Sequence, residues 1–177
     1  MAYSLHRSNT TNRAKEKTIE ILNSFVPKGS IILLSFGEID CRNHIVKQSL
    51  SKNKKVDNII KDCVSKYFEG IHSILKSNYK VIIYNTIPSR INNQKPITIS
   101  KVIRENNIKR KFNKSLSKRI SEYGYNFLSI YDDITNKKNI GVEKYYMKGE
   151  SSTPHLSQKV MPFLQREVRK IEVSNGW

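Results

Sequence analysis

One stretch of the chain concentrates residue types that do chemistry: Ile31 to His44, IILLSFGEIDCRNH. An apolar run reaches Phe36, Gly37 breaks it, and five of the next seven residues are charged or strongly polar: Glu38, Asp40, Arg42, Asn43 and His44. Acid, base and imidazole directly after a strand form a site candidate, because open α/β sheets bind ligands beyond the carboxyl ends of their strands. The alternative reading is a polar loop closed by a local Asp40–Arg42 ion pair.

Two further segments could contribute. KVIIYN, Lys80 to Asn85, reads as a strand that runs into the polar loop Thr86-Ile87-Pro88-Ser89-Arg90. Near the other end, Gly149-Glu150-Ser151-Ser152-Thr153-Pro154-His155 leads into a last helix over Leu156 to Ile171. Ser35, Ser89 and Ser152 are the serines nearest the predicted strand ends, and none lies in a nucleophile-like turn motif. His72 falls beside the apolar face of a helix and reads as a partly buried structural histidine.

The elements that must position these residues alternate. Thr10 to Phe25 predicts a helix with a partial stripe of Ile19, Ile21, Leu22 and Phe25, capped by Thr10 or Thr11. Ile31 to Phe36 is too short for an independent helix and suits a buried strand. After a polar connection over Lys47 to Lys55 comes the clearest helix, with Val56, Ile60, Cys63, Tyr67, Ile71, Ile74 and Leu75 on one face. A loop around Pro96 precedes a long basic helix over Lys101 to Tyr123, with Ile103, Ile108, Phe112, Leu116 and Ile120 inward and Gly124 at its end. Asn126 to Ile130 is the third strand, and Val173 to Trp177 reads as a frayed tail. Three rounds of strand and helix predict a parallel sheet with right-handed crossovers, covered on both faces.

The totals bound the function. A chain of 177 residues suits one domain spanning 1–177 and can bury a proper core. No apolar run is long enough to span a membrane, and the N-terminus lacks the apolar core of a signal peptide. Cys41 and Cys63 have no metal-site spacing and read as free thiols of a cytoplasmic protein. No P-loop, GxGxxG or HExxH motif is present, so neither a metal nor another cofactor is expected. The net charge of +17 raises nucleic acid as a partner. However, Lys and Arg are scattered through nearly every helix, densest around Lys109-Arg110-Lys111 and Lys114 to Arg119, alongside many Asn and Ile. A compositionally biased genome explains that pattern better.

The order of GEIDCR after one strand, NTIPSR after a later one, and His155-Leu156-Ser157 before the final helix resembles the SGNH, or GDSL-like, hydrolases. The likeness is to a subgroup with an FGEIDxR block, often encoded near genes for surface polysaccharide. It implies a flavodoxin-like three-layer α/β/α sandwich. The family's serine nucleophile lies in a Gly-Asp-Ser block after the first strand, activated by a late histidine that an aspartate orients. By this resemblance His155 is the general base, and Gly37 and Asp40 match the block that usually reads Gly-x-Asn-Asp.

The departures are specific. Ser152 stands where the orienting aspartate belongs, with Glu150 as a substitute at different spacing. Ile39 replaces the oxyanion-hole Asn, leaving Arg42 or Asn43 to donate. No Gly-Asp-Ser block exists in the chain, and only 36 residues precede Gly37. The expectation is a domain lacking its first strand, with Ile31–Phe36 left as an apolar edge.

The implied function is a carboxylic-ester hydrolase, acting on O-acetylated carbohydrate or persisting as a weakly active remnant. Glu38, Asp40, Arg42 and Arg90 would shape its pocket. The alternative is a non-catalytic basic protein that binds anionic polysaccharide or nucleic acid. A scaffolding domain is a third reading, and no oligomer signal is legible.

Overall fold

The computed structural model describes residues 13–75, 78–91, 98–148 and 155–177. Ser152 and Glu150, the stub over Ala2–Leu5, the capping threonines Thr10 and Thr11, and most of the loop around Pro96 lie outside the described residues.

Three strands form one parallel sheet in the order β1 (Ile31–Ser35), β2 (Lys80–Tyr84), β3 (Asn126–Leu128). Ile31 aligns with Lys80 and Ser35 with Tyr84, while Ile82 to Tyr84 align with Asn126 to Leu128. The crossovers are α3 (Val56–Leu75) and α4 (Ile99–Arg119). Both pack with Ile32, Leu34, Val81, Ile83 and Phe127 on one face of the sheet, joined by Leu22 of α1 (Ala14–Phe25). On the opposite face α5 (Met161–Asn175) covers Ile82 and Leu128 through Leu164, Val168 and Ile171. The chain is thus the three-layer α/β/α sandwich that the alternating pattern predicts.

Local chemistry explains the ends of α4 and α5. Thr98 caps α4 by accepting from the Lys101 amide, Lys118 and Arg119 occupy its last turn, and Gly124 follows a closing 3₁₀ turn at φ +65°. In α5, Pro162 stands at the first turn and Gly176 takes φ +64° beyond the last.

β1 is an edge strand: among the described residues it pairs with β2 alone. Among the described residues α5 reaches only the β2–β3 side, and Ile31 and Leu33 of β1 are 51% and 56% exposed.

Several expectations are corrected. The stripe of α1 buries only Leu22, and Ile21 and Phe25 point to solvent, because the helix meets the core along one narrow line. His72 is exposed, its ring edge-on to Tyr123 with centroids 5.5 Å apart. The tail does not fray: α5 runs to Asn175, and the Lys80 ammonium sits over the Trp177 ring. Glu38 to Ser51 is helical, with a π-turn over Asp40–His44 leading into α2 (Ile45–Ser51), where a polar loop was expected.

Candidate active site

The carboxyl ends of β1 and β2 open into two segments that meet over one side chain of α4. After β1, Gly37 adopts φ +105° and lets the chain turn into its helix, where the Cys41 amide donates to the Gly37 carbonyl at 2.9 Å. A Cβ on Gly37 would stand 2.7 Å from Cζ of Phe112, so both conformation and space demand glycine. The turn brings Glu38 to the sheet's end and buries Asp40 and Cys41.

After β2, side-chain amides take over from the strand ladder. Asn85 accepts from the Ile130 amide at 3.0 Å, and Asn113 of α4 accepts from the Thr86 amide at 2.8 Å and donates to its carbonyl at 2.9 Å. Asn106, about two turns further out, holds Ser89: its Oδ1 accepts from the Ser89 amide and its Nδ2 donates to the Ser89 carbonyl. The Gly141 amide also donates to that carbonyl. Ser89 is therefore fixed from both sides of its peptide, and it is half-buried.

Between these segments lies Lys109, which has no exposed surface. Its Nζ donates to Ser89 Oγ at 2.9 Å and lies 3.5 Å from Glu38 Oε1. Ser89 Oγ in turn donates to Glu105 Oε2 at 3.4 Å. Burial pushes the Lys109 amine below its ordinary value, and Glu38, Cys41 and Glu105 oppose that shift without cancelling it. Burial likewise drives the Cys41 thiol well above its usual range. Both cysteines are free and buried, as the sequence suggests.

The residues singled out from sequence divide into groups. Glu38 and Arg42 pair at 3.7 Å on the helix after β1, and Glu38 faces Lys109. Asp40 points inward, where its charge adds to burial in raising the Cys63 thiol. Asn43 is exposed on the π-turn. Arg90 is engaged by the Glu143 carboxylate, donates to the Met147 carbonyl at 3.1 Å and lies over the Tyr146 ring. Arg90 thereby braces the Glu143–Met147 segment against the loop after β2.

His155 belongs to that same neighbourhood. Its carbonyl accepts from the Met147 amide at 2.9 Å, and Leu156 bridges Tyr146 in antiparallel fashion. The Tyr146 hydroxyl donates to the Pro88 carbonyl, so the backbone beside His155 is tied to the residue preceding Ser89. His155 itself is exposed.

Sequence reasoning passed over Lys109, counting it with the basic surface. Helical spacing does carry the signal: Val102, Asn106, Lys109, Asn113 and Leu116 recur at three- and four-residue steps and are all buried. A lysine and two asparagines on an inward stripe mark a polar seam aimed at the sheet's end.

The sequence matches no protein-family model and no curated protein. Its structure is similar to the crystal structure of a "putative acylhydrolase" from Bacteroides fragilis, with TM-score 0.50 and 11% identity over 95% of this chain and 99% of that one. At that identity the likeness speaks for the fold alone: the two chains share an α/β sandwich.

Proposed function

We propose that this protein is a carboxylic-ester hydrolase of the SGNH type, acting on small O-acylated molecules such as acetylated carbohydrate, with its site at the carboxyl ends of β1 and β2. The observation that carries this reading is the convergence there of an acid and a hydroxyl, Glu38 and Ser89, on the buried amine of Lys109. Ester hydrolysis needs such a set, because an alkoxide-like nucleophile has to form near neutral pH. The similarity of the fold to that of the Bacteroides fragilis structure supports the same reading. Arg42 extends the polar rim. His155, the histidine of the sequence resemblance, is joined to this end of the sheet through its backbone and is the residue by which the SGNH assignment is judged.

The test is hydrolysis of p-nitrophenyl acetate and of an O-acetylated oligosaccharide by the purified chain, beside His155→Ala. Turnover by the wild type is expected, and a fall of about 10²-fold or more in the variant supports the SGNH type. A wild type without turnover on either ester overturns the hydrolase reading. Unchanged turnover in the variant removes His155 and with it the SGNH type.

The second reading is binding of an anionic polymer, favoured by a solvent stripe on α4 of Lys101, Arg104, Arg110, Lys111, Lys114 and Lys118. Part of that stripe is already neutralised, by Arg110–Asp132 at 2.9 Å and Lys111–Asp57 at 2.7 Å. Polymer affinity that collapses between about 50 and 200 mM salt would support this reading, since counterion release would then dominate binding.

A further inference from the structure

We infer that Ser89 is the nucleophile of this site and Lys109 its general base, a serine–lysine pair formed across the sheet's end by β2 and α4; the inference rests on the ester-hydrolase reading above. No Gly-Asp-Ser block supplies a nucleophile in this chain. The geometry supplies one elsewhere. Ser89 Oγ is the hydroxyl that Lys109 Nζ touches, at 2.9 Å. The peptide carrying it is clamped by Asn106 at 2.6 and 2.8 Å, so the hydroxyl is pre-positioned before any substrate arrives.

Lys109 acts as a base only when its amine is neutral, and its burial shifts it in that direction. The groups facing it are Glu38 and Cys41 from the segment after β1, Ser89 from the loop after β2, and Glu105 on its own helix. Two carboxylates favour the ammonium, burial disfavours it, and burial is the larger effect. In the resting arrangement Ser89 Oγ accepts from Lys109 and donates to Glu105. With the amine neutral, the nitrogen lone pair receives the hydroxyl proton instead.

The reaction then balances without any further reagent. Ser89 Oγ bonds to the ester carbonyl carbon while its proton passes to Lys109 Nζ. The carbonyl re-forms, the bond to the alkoxy oxygen breaks, and that oxygen leaves as the alcohol with the proton from Nζ. Water next attacks the acyl-serine carbonyl and gives a proton to Nζ. The acyl–Oγ bond breaks, the proton returns to Oγ, and a carboxylic acid departs.

Treatment of the full chain with a fluorophosphonate, followed by peptide mass spectrometry, tests the nucleophile. Hydrolysis of p-nitrophenyl acetate is followed in parallel for wild type, Ser89→Ala and Lys109→Met. The expected outcome is an adduct on the peptide carrying Ser89, no adduct in Ser89→Ala, and a fall in hydrolysis of at least about 10³-fold in that variant. Ser89 is half-buried and loses only a hydroxyl, so this variant keeps its fold. Lys109→Met, where folded by circular dichroism, loses about 10²–10⁴-fold. Should it not fold, the wild-type labelling rate against pH decides, since a basic limb below the ordinary lysine range is expected. An adduct on another residue, or an active Ser89→Ala, overturns the assignment and leaves the hydrolase reading standing. A folded Lys109→Met at wild-type rate, or a labelling rate flat with pH, overturns the role of Lys109. A wild type that neither labels nor hydrolyses defeats the hydrolase reading itself and this assignment with it.

Discussion

Asn106 grips Ser89 from both sides, its Oδ1 2.6 Å from the Ser89 amide nitrogen and its Nδ2 2.8 Å from the Ser89 carbonyl oxygen. The same Nδ2 donates to the Asn139 carbonyl at 2.7 Å, so one buried amide joins α4, the loop after β2 and the turn after β3. Asn106→Leu keeps the volume and removes all three bonds. It should cost about 1–3 kcal/mol by urea denaturation, because buried peptide groups lose their partners. Esterase activity should fall more than stability does, as Ser89 loses its fixed position.

Glu38→Gln tests the charge balance around Lys109. The Glu38 carboxylate raises the Lys109 pKa, so removing its charge lowers that pKa further. A rate that depends on neutral Lys109 should then reach its plateau at lower pH in the variant. Initial rates from pH 6 to pH 10, with the ester's spontaneous hydrolysis subtracted, show the direction of the shift.

Gly37→Ala should destabilise the fold by about 2–4 kcal/mol, since it combines an unfavourable positive φ with a clash against the Phe112 ring. Phe112→Leu removes part of that ring. In thermal melts of the single and double variants, the double should lose less than the sum of the two singles.

Alkaline stability should depend on Cys63. Burial, aided by Asp40, raises its thiol from 9.0 to about 12 in the folded chain. Above pH 9 the unfolded chain loses this proton first, so stability is full below pH 9 and declines as pH rises towards about 12. Cys63→Ala should flatten that part of the decline. Guanidinium midpoints measured from pH 8 to pH 10.5 compare the slopes, whatever the variant's absolute stability.

The two faces of the sheet should respond unequally. Ile83 is fully buried among α3 and α4, and Ile83→Ala should cost about 2–5 kcal/mol. Leu33 of β1 is 56% exposed, and Leu33→Ser should stay within about 0.5 kcal/mol. Equal losses by urea denaturation would contradict the placement of α5 on the β2–β3 side alone.

Local pattern carried much of the fold. The stripe through Ile60, Cys63, Tyr67, Ile71 and Leu75 is buried along α3 as its spacing requires, and the apolar runs at Ile31 and Lys80 became paired parallel strands. These features were legible because helix and strand periods are properties of neighbouring residues. The strand-to-polar junctions lead to one end of the sheet, and Glu38, Arg90 and His155 all lie in the segments that gather there.

The sequence by itself determined the fold class and the parallel sheet. It did not determine which side chains meet, because contacts between Ser89 and Lys109, or Arg90 and Glu143, span 20 and 53 residues and obey no local period. The helix after Gly37 was hidden for a similar reason: its polar residues suit a loop, and packing of Cys41 and Ile45 into the core makes it helical. Burial of Lys109 was decided by tertiary structure alone. A lysine beside Arg110 and Lys111 reads as surface, and only the convergence of two loops on α4 supplies the Glu38 and Ser89 partners that make its burial tolerable.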